Sequence, residues 1–152
     1  MQAHALSWDD YLNETGFYVT TIGILFCSVI YYALFRSGLN LKARDPSLTI
    51  PQVLTAIVVL TVAMYYTSSI ARSVILPIVL MAFVFGVFRL DTRKLVYVAL
   101  IAILCYALMI GLLLQFRPQD VEMRLEVLRL LVFGPVLLWF AVMGGYVSQL
   151  RK

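Results

Sequence analysis

The chain has 152 residues, 62% of them apolar and only 13% charged, with a mean hydropathy of +0.94. Soluble domains run to about 45–50% apolar and about 25% charged residues. The composition therefore excludes an ordinary soluble globule, a disordered chain and a disulfide scaffold, and it indicates an integral membrane protein with a net charge of +4.

The chain opens with residues 1–16, which include Ser7-Trp8-Asp9-Asp10-Tyr11-Leu12. A capping serine with acids in the first turn predicts a short helix. Trp8 and Tyr11 suit the headgroup layer, so this helix is expected to lie on the outer membrane surface. Five apolar runs follow, at 17–35, 49–69, 73–88, 95–116 and 126–147. A bilayer core takes roughly 20 helical residues per crossing. Open strand edges cannot face lipid and strand alternation is absent, so each run is predicted to be a transmembrane helix.

The first run is too long for the apolar core of a signal peptide, and acids rather than bases precede it, so it reads as retained. Pro51 opens the second run, where a missing N–H has no helical partner to lose. Ser68-Ser69-Ile70-Ala71-Arg72-Ser73 reads as a tight hairpin turn into the third run, which is short and carries Pro77. Arg89 to Lys94 is a basic turn, and Pro118 stops the fourth run. The fifth run includes Arg129 and Pro135. The expected fold is an all-α bundle of five membrane helices over residues 17–147, with 148–152 starting a cytoplasmic linker helix. No room remains for a soluble catalytic domain.

Orientation follows from the basic residues. One side of a five-crossing chain holds Arg36, Lys42, Arg44, Arg89, Arg93, Lys94, Arg151 and Lys152. The other holds Arg72, Arg117, Arg124 and Arg129, with six of the eight acids. The C-terminus is thus expected in the cytoplasm and the N-terminus outside. The positive charge is a membrane asymmetry, not a nucleic-acid footprint.

Catalytic signals are missing. The one histidine, His4, cannot build a metal or haem site, and no nucleophile motif, phosphate loop or ligand spacing occurs. No cofactor and no metal is expected. Asn13-Glu14-Thr15 fits a glycosylation triplet of a kind that arises by chance. Cys27 and Cys105 sit mid-run and read as small buried hydrophobes, although their depth leaves contact open.

Charge near the membrane is the remaining signal. Arg72 and Arg129 both fall at the outer end. They either snorkel, with Arg129 paired to Glu126 or Glu122, or they join Tyr65, Tyr66, Thr67, Ser68 and Ser69 in a pocket for an anionic amphiphile. Pro135 and Gly144-Gly145 serve either close packing or flexure of the last helix. Val147 and Leu150, three apart, could start a paired seam.

Three stretches carry a resemblance: Phe35-Arg36-Ser37-Gly38-Leu39-Asn40-Leu41 with Asp45-Pro46-Ser47-Leu48-Thr49, then Phe85-Gly86-Val87-Phe88-Arg89-Leu90, and then Gly144-Gly145-Tyr146-Val147-Ser148-Gln149-Leu150-Arg151. They resemble the N-terminal multi-helix membrane sensor regions of bacterial diguanylate cyclases of the GGDEF type. The resemblance implies an inner-membrane input module whose last helix continues into a linker and a cyclase domain that works as a dimer. No GG[DE]EF signature is present, so the chain itself is not expected to make cyclic di-GMP. The expected function is a sensory module that binds a lipid-like ligand, forms a homodimer and acts on a cytoplasmic effector domain. The alternatives are a transporter or channel subunit and a structural membrane subunit. The first of these suffers from having no acid deep in any run and no internal repeat.

Overall fold

The structure is a computed structural model that describes residues 14–42, 47–87 and 90–150. The expected surface helix up to Asn13 and the Asp45-Pro46 and Phe88-Arg89 pairs lie outside the described residues. Five α-helices are described: α1 (Glu14–Arg36), α2 (Thr49–Tyr65), α3 (Ser69–Val87), α4 (Thr92–Phe116) and α5 (Met123–Leu150). Single 3-10 turns at Leu39–Lys42 and Pro118–Asp120 sit in the connections. Three helices, α1, α4 and α5, are long and apolar enough to cross a membrane. The 17 residues of α2 rise about 25 Å, slightly less than the roughly 30 Å of a hydrocarbon core.

The helix ends follow local chemistry. Gly38 takes a left-handed φ of +70° after α1, which glycine adopts freely. Leu48 also turns left-handed, at φ 49°, to enter α2. There the Ser47 and Thr49 hydroxyls meet at 2.7 Å, and Pro51 occupies the first turn. Phe116 ends α4 just before Arg117 and Pro118, where proline disfavours a helical residue ahead of it.

The boundaries at the α2–α3 turn differ most from the apolar runs. The second helix ends at Tyr65 rather than at position 69, and the third begins at Ser69 rather than at position 73. The hairpin turn is therefore Tyr66-Thr67-Ser68, and Arg72 stands inside α3. A lone arginine marks a break when charge alone is weighed. It can stay in the helix here because a carboxylate from α5 meets it.

The core lies among α2, α3, α4 and α5. The face of α4 formed by Leu95, Val98, Ala102, Tyr106, Met109 and Leu113 is buried, with the three- and four-residue steps of one helix face. Opposite it stand Phe133, Leu137 and Ala141 of α5, Ile57 and Met64 of α2, and Phe83 of α3. At one end α5 comes close to α4: a Cβ on Gly145 would fall 2.7 Å from the Thr92 Cα. In lipid, apolar burial does not by itself drive helices together, so such close fits and polar links matter more than they would in water.

The first helix stands apart. It packs on α2, and Gly16 is its only buried residue. A Cβ at Gly16 would overlap the Cβ of Tyr66. Further along, the Tyr31 and Thr55 hydroxyls bond at 2.8 Å. Phe17, Ile22, Leu25, Phe26, Val29 and Tyr32 face outward, the surface expected of a helix in contact with lipid.

Candidate functional site

Arg72 lies one turn into α3, and Glu126 lies one turn into α5. Both are completely buried and form an ion pair through the Arg72 Nη1 and the Glu126 Oε1. The rest of the arginine is also engaged: Nε donates to the Thr67 carbonyl at 3.1 Å, and Nη2 to the Asp120 carbonyl at 3.0 Å. Arg129, three residues after Glu126 on the same helix face, donates from Nη1 to the Glu126 Oε1 at 2.7 Å and to the Ser69 hydroxyl at 3.1 Å. Tyr106 rises from the core face of α4, and its hydroxyl donates to the Glu126 Oε2 at 2.6 Å.

One carboxylate thus serves two guanidiniums and a phenol. The network joins the α2–α3 turn, α3, α4, the α4–α5 connection and α5. Within the network itself two cations share one anion. Burial of charge is costly unless every donor and acceptor is met. Here the three nitrogens of Arg72 and both oxygens of Glu126 have partners. Among the described residues no three His, Cys, Asp or Glu side chains come together to hold a metal. The arrangement can hold helices in register, and it can release them when a bond in it is broken.

Of the residues expected in one outer pocket, Arg72, Arg129, Thr67 and Ser69 meet in the network around Glu126, whereas Tyr65 and Tyr66 contact Arg117. Arg72 turns inward and commits its donors to the network. Arg129 pairs with Glu126, as one of the two readings of the sequence has it, and it also reaches Ser69. The Ser68 hydroxyl is buried without a hydrogen-bond partner among the described residues. Tyr65 and Tyr66 lie instead under Arg117, whose guanidinium stands 5.5 and 5.6 Å from their ring centroids.

Along α5, Pro135 is on an exposed face and Gly144 and Gly145 are buried. The position of Gly145 against Thr92 is the close-packing role considered for it. Val147 and Leu150 fall in the last turns of α5. Cys27 and Cys105 are free thiols on α1 and α4, and each lines a different groove.

Sequence reasoning missed Tyr106, Asp120 and Arg117. Tyr106 looks like one more aromatic core residue, and its hydroxyl becomes informative only once Glu126 is known to be buried. Asp120 contributes its backbone carbonyl, which no side-chain pattern reveals. The available signal was the lone acid Glu126 at the start of an apolar run, with a base at i+3. Comparison with protein-family models, with curated proteins and with solved structures finds no match for the chain.

Proposed function

We propose that this chain is a membrane-embedded sensory input module of the kind that controls a cytoplasmic diguanylate cyclase. It makes five crossings of a bacterial inner membrane, with its N-terminus outside and its C-terminus in the cytoplasm. Two copies pair with α5 near the two-fold axis, and the cyclase follows α5. The chain supplies no catalysis of its own. A lipid-like amphiphile changes how α5 sits against α3 and α4.

The observation that carries this reading is the placement of Glu126 and Arg129. Both stand in the first turns of α5, the end that the proposed topology puts outside, and both are tied to α3. A bond broken at the outer end therefore acts on the helix that would carry the output. A ligand shifts such an equilibrium only by binding one arrangement better, and a tenfold preference corresponds to about 1.4 kcal/mol.

Two measurements test the reading. Single cysteines at positions 4 and 152 should label from outside intact cells at 4 and not at 152; the reverse pattern overturns the topology. The chain fused to a GGDEF cyclase should give cyclic di-GMP levels that change severalfold with Arg129→Gln, which loosens α5 from Ser69. Output equal to that of the unsubstituted fusion, at equal protein level, overturns the coupling.

A further inference from the structure

Arg117 is a further arginine at the same end of the bundle as Arg72 and Arg129, and the buried network does not use it. It follows the last residue of α4 and is half-buried. Its guanidinium lies over Tyr65 and Tyr66, whose rings meet edge to face at 5.1 Å. A cation held by aromatic faces keeps its N–H edge for other acceptors. Arg72 and Arg129 have Glu126 as counter-ion, whereas Arg117 has no ion pair among the described residues, although Asp120 and Glu122 are close in sequence.

Immediately inward of the two tyrosines, α2 and α4 part. The groove between them has a volume of about 350 Å³ and is walled by Val58, Val62, Leu108, Met109 and Leu112, with Tyr65 and Tyr66 at its rim. It extends from position 65 to 58 on α2 and from 112 to 105 on α4, about 10 Å at the helical rise. A dry cavity of about 150 Å³ holds one benzene, so this groove takes roughly a dozen carbon atoms. That is part of one acyl chain and too little for two.

An unpaired guanidinium at the rim and an apolar trough running inward match the polarity of an anionic amphiphile. The fork of a guanidinium fits a phosphate with two parallel bonds, and the rim lies at the bundle end, where headgroups stand. We propose that the α2–α4 groove binds one acyl chain of an anionic phospholipid, with the headgroup phosphate on Arg117. The site rests on the sensory reading only for its meaning. It names the amphiphile and moves its head from Arg72 and Arg129 to Arg117. Binding is measured without any signalling output, so the site and the signalling role fail separately.

The test uses the full chain in phosphatidylcholine nanodiscs containing a small fraction of a phosphatidylglycerol probe with a photoactivatable diazirine in mid-chain. Adducts should concentrate on Val62, Leu108 and Met109. Arg117→Gln should lower their yield about tenfold, the size of one charge-assisted contact, and Arg117→Lys, which keeps the charge without the fork, should fall between that and the parental yield. Val62→Phe fills the groove with Arg117 in place and should lower the yield as well. This variant decides the matter if Arg117→Gln does not fold. A phosphatidylcholine probe with the same tail, whose phosphate is already neutralised by its own cationic choline, should label the groove at least severalfold less. Parental yield in the folded Arg117→Gln or Val62→Phe chain overturns the site. So do equal labelling by the phosphatidylcholine probe and adducts spread evenly over the outward faces of α1 and α5. A diazirine fatty acid that labels the groove as strongly and displaces the phospholipid probe also overturns it, because the ligand is then a free carboxylate.

Discussion

Glu126→Leu should destabilise the folded bundle by about 3 kcal/mol or more, the range for removing one partner of a buried ion pair. The leucine fills similar space, so the loss is electrostatic. Arg72 would be left at full burial with only two carbonyl acceptors, and the Tyr106 hydroxyl would lose its acceptor. Arg129 is less affected because it is partly exposed and its long stem can carry the charge to the headgroup layer. Arg72→Met should cost less than Glu126→Leu, since Glu126 keeps Arg129 and Tyr106. The Arg72→Met, Glu126→Leu double variant should recover part of the loss, because an apolar pair of similar volume replaces a buried ion pair at little penalty. Reversible unfolding in mixed micelles measures all three. Glu126→Leu within about 0.5 kcal/mol of the parent would mean that the network is incidental to stability.

The second large effect is expected at the opposite end. Gly145→Ala places a Cβ on top of the Thr92 Oγ1 and 2.7 Å from the Thr92 Cα. A hydroxyl can rotate away, but a backbone atom cannot, so α5 must move off α4. Overpacking of this kind costs about 1–3 kcal/mol. Thr92→Ala added to Gly145→Ala should restore only part of it, since the clash with the backbone of α4 remains. Two other glycines serve as controls. A Cβ at Gly111 meets nothing within 4 Å, and one at Gly134 meets only the Ile103 Cδ1 at 3.7 Å. Alanine at either position should be neutral or slightly stabilising through its better helix propensity. Equal unfolding midpoints for Gly145→Ala and Gly111→Ala would show that the close approach to Thr92 is not a constraint.

The helical class was legible because apolar runs with almost no charge admit little else. The ends of the runs were less so. An arginine at position 72 reads as a boundary until its partner is known, and that partner lies 54 residues away on α5. Sequence periodicity contains no information on which turn of α3 faces which turn of α5. The candidate site was half legible for the same reason. Glu126 and Arg129 lie one turn apart on one helix, and local spacing joins them. Arg72, Tyr106 and Arg117 take their roles from helix packing. Tyr65 and Tyr66 were expected beside Arg72 and Arg129, yet the C-terminal end of α4 comes closer to them and brings Arg117 over their rings.

The separation of Arg72 from Glu126 also bears on how the chain is made. A ribosome adding about 5–20 residues per second takes several seconds to pass from one to the other. During that interval α3 exists with its arginine and without its counter-ion. The α2–α3 hairpin therefore has no settled place until α4 and the start of α5 have been synthesised. The first helix has no such dependence, because it carries no charge between Glu14 and Arg36 and presents apolar side chains on almost every side. It is long and apolar enough to cross a membrane without a partner's charge. Early insertion of α1 and late closure of α2 to α5 around one carboxylate give assembly an order that runs from the edge of the molecule to its centre.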